Sequence, residues 1–245
     1  MNTTASKIQD HYDDMAEVYD NRYDANLGKL YYAHICSQVM GRLSPGGRLL
    51  DLGCGTGLFS RFYSHRGGRV VGLDISRGMI EKARENCAGG EFVKGTAEML
   101  PFEECTFDGV SSLLAFSYLR DPDLTMREVF RVLKPGGSMA ICTLGLNLFT
   151  RGLPALYQLS EAINLKKACF GAFGERYYSV DEMEQLLIGA GFEEIQVRRC
   201  SFAHYDLAPP IYHIAKKVEP FVERNIPYLA YNICASGKKP DPGCL

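Results

Sequence analysis

Of the chain's 245 residues, 46% are hydrophobic and 23% charged, which suits a folded domain burying about three quarters of its unfolded surface without disulfides or metals. A formal net charge of −2 excludes the basic excess that nucleic acid as main partner requires. The stretch at the start of the chain has no apolar signal core, and no run of about 18 apolar residues occurs, so no membrane span is expected and the location is read as cytoplasmic.

Residues 6–43 carry a helical pattern, with Leu27, Leu30, Tyr31, Ile35 and Val39 at three-to-four spacing, and Ser44-Pro45-Gly46-Gly47 ends it. Arg48 to Leu52 then reads as an apolar strand running into Gly53-Cys54-Gly55-Thr56-Gly57, followed by a helix over 58–64. Val70 to Asp74 is a second strand, with Ser76 as N-cap of a helix reaching Asn86. Strands over 92–95 and 107–113 follow, then a helix over about 122–133, a turn at Lys134-Pro135-Gly136-Gly137 and a strand over 138–144. Such alternation of strand and helix specifies a mostly parallel sheet with helices on both faces.

Beyond residue 144 the pattern loosens. A helix is expected over 153–169, and Ser179 with Glu182 forms a capping box for a helix ending near Gly191. Strands are expected over 195–201 and 228–235, with a helical segment at 207–224 between them. The expectation is one α/β domain, a Rossmann-like doubly wound sheet of seven strands, over residues 1–245. Within it, 1–43 form a helical lid, 44–144 the nucleotide-binding core, 145–225 a small helical cap over the acceptor region carrying the sixth strand, and 226–245 the last strand and tail.

A glycine turn between strand and helix lets backbone amides approach a ligand closely. Gly53, Gly55 and Gly57 provide it, and Leu58 stands where a dinucleotide fingerprint needs glycine or alanine beside the pyrophosphate. Leucine there weighs against NAD. Asp74, ending the second strand, offers a carboxylate to both hydroxyls of a ribose, a feature shared with dinucleotide sites.

These segments together resemble the class I S-adenosylmethionine-dependent methyltransferases, nearest their small-molecule branch of ubiquinone and menaquinone type. The resemblance runs over about residues 8–144 through Leu49-Leu50-Asp51-Leu52-Gly53-Cys54-Gly55-Thr56-Gly57, Val70 to Ser76, Gly95-Thr96-Ala97-Glu98-Met99-Leu100-Pro101-Phe102, Phe107 to Val110 and Val132 to Gly137. It implies S-adenosylmethionine as cofactor, S-adenosylhomocysteine as product and a small-molecule methyl acceptor. Carried over by residue, it implies a cofactor site of Asp51, Gly53, Cys54, Gly55, Asp74, Ile75, Met79, Thr96, Ala97, Glu98, Leu113 and Leu114. Gly53 and Gly55 would meet the methionine part, Asp74 the ribose, Ile75 and Met79 the adenine faces, and the Ala97 amide an adenine nitrogen. The family's usual aspartate is replaced by Thr96, so Thr96 or Glu98 has to take the adenine amino group. Segment Tyr12–Asp20 resembles the helix preceding the core, where Tyr19 and Arg22 are partners for the methionine carboxylate. The plainer reading is an amphipathic helix whose tyrosines pack on the core.

Methyl transfer from a sulfonium needs a general base only when the acceptor must lose a proton. Of five histidines, His204, followed by Tyr205, is placed by the sixth strand's end to serve as one, against a structural role for both. The aromatic stretch Phe170–Tyr178 reads either as an acceptor pocket or as a cap packed on the sheet. Nine cysteines, odd in number and without CxxC spacing, read as reduced thiols with no metal site. Two other functions stay open: an NAD(P)-dependent oxidoreductase, which Leu58 and the lack of a Tyr-x-x-x-Lys pair disfavour, and a non-catalytic S-adenosylmethionine-binding protein.

Overall fold

The computed structural model describes residues 4–24, 26–147 and 175–241. The helix expected over 153–169 and most of the aromatic stretch from Phe170 lie outside the described residues. Seven strands, β1 (Arg48–Leu52), β2 (Arg69–Asp74), β3 (Glu91–Lys94), β4 (Phe107–Leu113), β5 (Leu133–Leu144), β6 (Glu193–Cys200) and β7 (Asn232–Lys238), form one sheet in the order β3-β2-β1-β4-β5-β7-β6. All neighbouring pairs are parallel except those made by β7, which runs antiparallel to both β5 and β6.

Strand residues alternate between two apolar layers, as the period of two requires when helices cover both faces. Leu50, Val71, Val110, Met139 and Ile141 pack beneath α6 (Pro122–Val132) and α7 (Val180–Gly189). Leu49, Val70, Ala140 and Cys142 face the opposite layer with Phe59 of α4 (Leu58–Ser64) and Ile35 and Val39 of α3 (Asn26–Met40). The predicted caps form: Ser76 Oγ accepts the Met79 amide at 3.1 Å ahead of α5 (Arg77–Asn86), and Ser179 and Glu182 make the reciprocal box ahead of α7.

Three boundaries differ from expectation. The turn at 134–137 is absorbed into β5, because Leu133 pairs with Phe107 across a register shift and Gly136 donates its N–H to the Lys239 carbonyl. The last strand begins at Asn232 rather than at 228, and a 3-10 turn, Pro227–Leu229, precedes it. Its end at Lys238 is set by antiparallel pairing from Leu144↔Asn232 to Ser138↔Lys238, which overrides the turn-like Ser236-Gly237. The N-terminal helical region breaks into α1 (Thr4–Met15), α2 (Asn21–Asp24) and α3. Helix α8 (Pro209–Asn225) packs Tyr212 and Ala215 on Ala203 and Leu27. No described helix is long and apolar enough to cross a membrane.

The chain winds from β1 outward through β2 to β3, then returns to the other side of β1 with β4 and β5. Winding reverses between β1 and β4, and the crevice beyond the carboxyl ends of those strands is where open sheets of this kind bind ligands.

Candidate functional site

A cavity of about 540 Å³ opens at that reversal. Its floor is the turn after β1. Gly53 and Cys54 both donate to the Leu73 carbonyl at 2.7 and 3.0 Å, and Gly53, Gly55 and Gly57 have φ of +71°, +52° and +80°. The two inner glycines answer different demands. A Cβ on Gly53 would stand 2.2 Å from the Ala115 Cβ, so packing against the β4 exit forbids one. A Cβ on Gly55 would meet nothing within 4 Å, because that position faces the cavity.

Asp74 braces the turn. Its Oδ2 accepts the Gly55 amide and its Oδ1 the Ser76 amide, both at 2.9 Å. An ionised carboxylate has about four lone-pair sites, so capacity remains on the edge that lines the cavity. Burial raises the Asp74 carboxyl above its ordinary value, against the pull of those amides. Asp51, on β1, is 1% exposed and accepts the hydroxyls of Ser60 at 2.7 Å and Ser111 at 3.1 Å. Burial pushes its carboxyl up to about 6. With Cys54, Thr56 and Tyr32 it lines a narrow recess of about 30 Å³ that shares Tyr19, Gly53 and Gly55 with the main cavity.

The roof comes from α1 and the loop after β4. Asp13 Oδ1 accepts both the Ser76 hydroxyl at 2.5 Å and the Gly78 amide at 2.9 Å, fixing α1 to the start of α5. Asp20 accepts the Thr56 hydroxyl at 2.5 Å and the Asn86 side-chain amide at 3.2 Å, which fixes the following turn to the glycine loop. These ties hold three tyrosine rings over the opening. Tyr12 meets Tyr118 edge-on at 5.8 Å and Tyr19 at 6.1 Å.

Of the residues singled out in the sequence, Tyr19, Gly53, Gly55, Asp74, Ile75, Met79, Thr96, Ala97, Glu98, Leu113 and Leu114 line this one cavity. Asp51 and Cys54 line the recess, and Arg22 lines neither but lies over the Tyr19 ring at 4.2 Å. Leu114 has φ +56° and gives its amide to the Cys142 carbonyl at 2.7 Å, so the strand exit is held in the left-handed region by its neighbour. Glu98 accepts the Arg120 amide at 3.1 Å and so shapes the rim.

His204 and Tyr205 do not line the cavity. Their rings lie 4.4 Å apart in an aromatic cluster, His204 5.0 Å from Tyr31 and Tyr205 6.1 Å from Tyr23, and the His204 Nδ1 is 3.2 Å from Asp206. Burial lowers the His204 pKa despite that carboxylate. Among the lining residues that escaped the sequence reading of the site are Ser112, Ala115, Tyr118 and Arg120. They lie at or after the β4 exit, where position relative to the reversal was the one available signal. Cysteine spacing gave no sign that Cys142, Cys200 and Cys234 converge in space, with their sulfurs within 4.8 Å of one another.

Comparison with known proteins bears on this geometry. Residues 50–141 match the family described as "Methyltransferase domain". The malonyl-[acyl-carrier protein] O-methyltransferase of Serratia marcescens is 39% identical over 43% of this chain and 41% of its own length. The chain thus spans less than half the length of that relative. The demethylmenaquinone methyltransferase of Clavibacter sepedonicus is 34% identical over 62% of this chain and 68% of its own. The chain belongs to the class I S-adenosylmethionine-dependent methyltransferases. Its fold agrees: a Thermotoga maritima structure described as an S-adenosylmethionine-dependent methyltransferase, possible histamine N-methyltransferase, superposes with TM-score 0.70 at 24% identity, over 94% of this chain and 99% of that one.

Two features of the cavity fit the family's cofactor. Gly55 leaves open the space a side chain would fill, and Ser112 Oγ, buried at the cavity wall, has no hydrogen-bond partner among the described residues. A methyltransferase of this class needs both close approach of backbone to ligand and polar groups that the ligand completes.

Proposed function

We propose that this methyltransferase transfers the methyl group of S-adenosylmethionine to a small, amphipathic acceptor, with a quinone-like or lipid-precursor ring or chain as the favoured class. One observation carries the reading: the Asp74–Gly55 brace and a wall of three tyrosine rings face the same 540 Å³ cavity. When bound, the cofactor supplies a methyl group on a sulfonium, whose sulfur leaves readily in an in-line displacement.

The chain's own residues then bind, orient and exclude water. Asp74 receives the ribose hydroxyls on the lone pairs that Gly55 and Ser76 leave free. Ile75 and Met79 flank the adenine, the Ala97 amide meets a ring nitrogen, and Thr96 or Glu98 takes the amino group. Tyr19 attends the methionine carboxylate, backed by the Arg22 guanidinium over its ring, and Asp51 the ammonium, through the recess beside Gly53 and Cys54. Leu113 and Leu114 would border the reacting methyl, and the rings of Tyr12, Tyr19 and Tyr118, which line the same cavity, would favour a cation beside them. Holding acceptor and methyl in line can supply ~7–11 kcal/mol of the barrier lowering. His204 lies outside the cavity lining, so its part as base for acceptors that must lose a proton rests on its place after the sixth strand and is what the His204→Ala variant tests.

The relatives named above act by their names on a malonyl-[acyl-carrier protein] and on demethylmenaquinone, two unlike acceptors. The apolar and aromatic wall of Tyr12, Tyr118, Leu119 and Leu124 supports the quinone-like class. Calorimetry with S-adenosylhomocysteine and with NAD, followed by transfer of a tritiated methyl group into small-molecule fractions of a cell extract, tests the proposal. Binding of the homocysteine product and labelling of an apolar metabolite are expected. Binding of NAD instead would overturn the cofactor assignment, and binding without label in any fraction would make the protein a non-catalytic binder.

A further inference from the structure

Cys142 on β5 and Cys234 on β7 are direct cross-strand partners, so their side chains leave the same face of the sheet. Cys200 on β6 is opposite Asn232, two residues along from Cys234, and therefore projects from that face as well. The Sγ atoms of Cys200 and Cys234 are 2.9 Å apart, and all three sulfurs lie within 4.8 Å of one another. None is more than 1% exposed, and Ile35 and Val39 of α3 belong to the apolar layer that covers them. The group stands apart from the cofactor cavity, which none of the three lines.

We propose that Cys142, Cys200 and Cys234 form a buried three-thiolate site for a soft, three-coordinate cation of the copper(I) class. Ligand softness, ligand number and charge all favour that ion. Thiolate sets select soft ions such as Cu(I) and Zn(II), while carboxylate-seeking ions are excluded. Zinc in structural sites wants four ligands, and among the described residues no fourth His, Cys, Asp or Glu joins the group. Three thiolates and one monovalent ion leave two negative charges, and two guanidinium groups, Arg42 and Arg198, are close enough to act on Cys234. Arg42 Nε is buried without a hydrogen-bond partner among the described residues, and Ser201 Oγ lies 3.7 Å from the Cys200 sulfur as an outer support.

Binding balances simply. Three S–H bonds break, three metal–sulfur bonds form and three protons leave to solvent, with no change of oxidation state. With metal–sulfur bonds of about 2.3 Å a trigonal ion sets its sulfurs about 4 Å apart, so Cys200 and Cys234 part by side-chain rotation while Cys142 stays in range. Occupancy ties β5, β7 and β6 together at the edge of the sheet.

Titrating the reduced, metal-free chain with Cu(I) against a chromophoric chelator tests this, with X-ray absorption on the loaded protein. One tightly held Cu(I) per chain with three sulfur neighbours, and a higher melting temperature on loading, are expected. C142S and C200S each weaken Cu(I) binding at least tenfold, while C105S, which alters an exposed thiol, leaves it unchanged. Cys200 is on the edge strand, so C200S keeps the test decisive if C142S does not fold, and the apo melting curve reports which is the case. Loss of Cu(I) to the chelator, two-sulfur coordination, an equal effect of C105S, tighter four-coordinate Zn(II), or a Cys200–Cys234 disulfide in the protein as isolated would each overturn it.

Discussion

The carboxylate of Asp13 on α1 accepts the backbone N–H of Gly78, 2.9 Å away, in the first turn of α5. The same oxygen takes the Ser76 hydroxyl, so one side chain far away in sequence supplements the local cap of the helix whose start borders the cofactor cavity. A Cβ on Gly78 would stand 3.1 Å from both the Ala16 Cβ and the Asp13 carbonyl, which shows how closely the roof is seated.

Asp13→Ala removes both bonds and costs about 1–2 kcal/mol of roof attachment, the usual worth of such a cap. Weaker cofactor binding by calorimetry and faster tryptic cleavage before residue 24 are expected. Burial opposes ionisation of Asp13, but the Ser76 and Gly78 bonds outweigh it and hold its pKa below the ordinary value. The sign follows: its contribution is complete above about pH 4, the unfolded carboxylate value, and fades only as pH falls through the lower folded value. Unchanged proteolysis at neutral pH would separate Asp13 from the roof.

Asp74→Ala should weaken S-adenosylhomocysteine binding by ~1.5–3 kcal/mol, roughly 10- to 150-fold, since hydrogen bonds to a charged group are lost. The variant also frees the Gly55 and Ser76 amides, so a melting curve accompanies the titration. Wild-type affinity in a folded variant removes Asp74 from the ribose contact.

Gly53 and Gly55 substitutions should part company. Gly55→Val enters open cavity space, so binding is lost while the fold survives at a cost of about 1–2 kcal/mol for a left-handed φ. Gly53→Ala drives a methyl group into Ala115 and lowers the melting temperature sharply. Equal melting temperatures for the two variants contradict the structure of the turn.

Asp51 gives a pH signature of opposite sign to Asp13. Burial lifts its carboxyl to about 6, so the unfolded chain ionises first as pH rises and the folded state loses stability between about pH 4 and 6. A shift of this size corresponds to about 3 kcal/mol, level above the folded value. Asp51→Asn should abolish that component in urea titrations from pH 4 to 7. If Asp51 also meets the cofactor's ammonium, wild-type affinity rises over the same interval and that of the variant does not.

His204→Ala should leave cofactor affinity unchanged, because the ring lies outside the cavity lining. Burial lowers the imidazole's pKa below its ordinary value, which favours the neutral form. Turnover should fall for acceptors bearing a proton on the reacting atom and hold for those without one. Full activity on both classes discards the proposed base, and loss of ring contacts with Tyr31 and Tyr231 then shows in the melting temperature alone.

What the sequence disclosed was local in origin. The glycine turn, the Ser76 cap and the Ser179–Glu182 box each draw on neighbours within a few residues, and each formed where expected. The bounds of β7 were not legible, because Ser236-Gly237 looks like a turn until β5 offers it a partner. Tyr118 and Arg120 belong to a loop without periodicity, and only the winding of the sheet brings them to the rim. The thiol group was hidden for the same reason: strand pairing, not spacing, places position 142 beside 234.

The 2.2 Å approach at the floor of the crevice has a bearing on how this chain can diverge. Residues 53 and 115 form an epistatic pair. Ala115→Gly, nearly silent alone, is the permissive step before any larger residue at 53, and with φ at +71° that residue is drawn from the few, asparagine foremost, that tolerate a left-handed backbone. Homologous sequences with a non-glycine at the first position should therefore carry glycine at the second, and lineages that keep alanine there are locked.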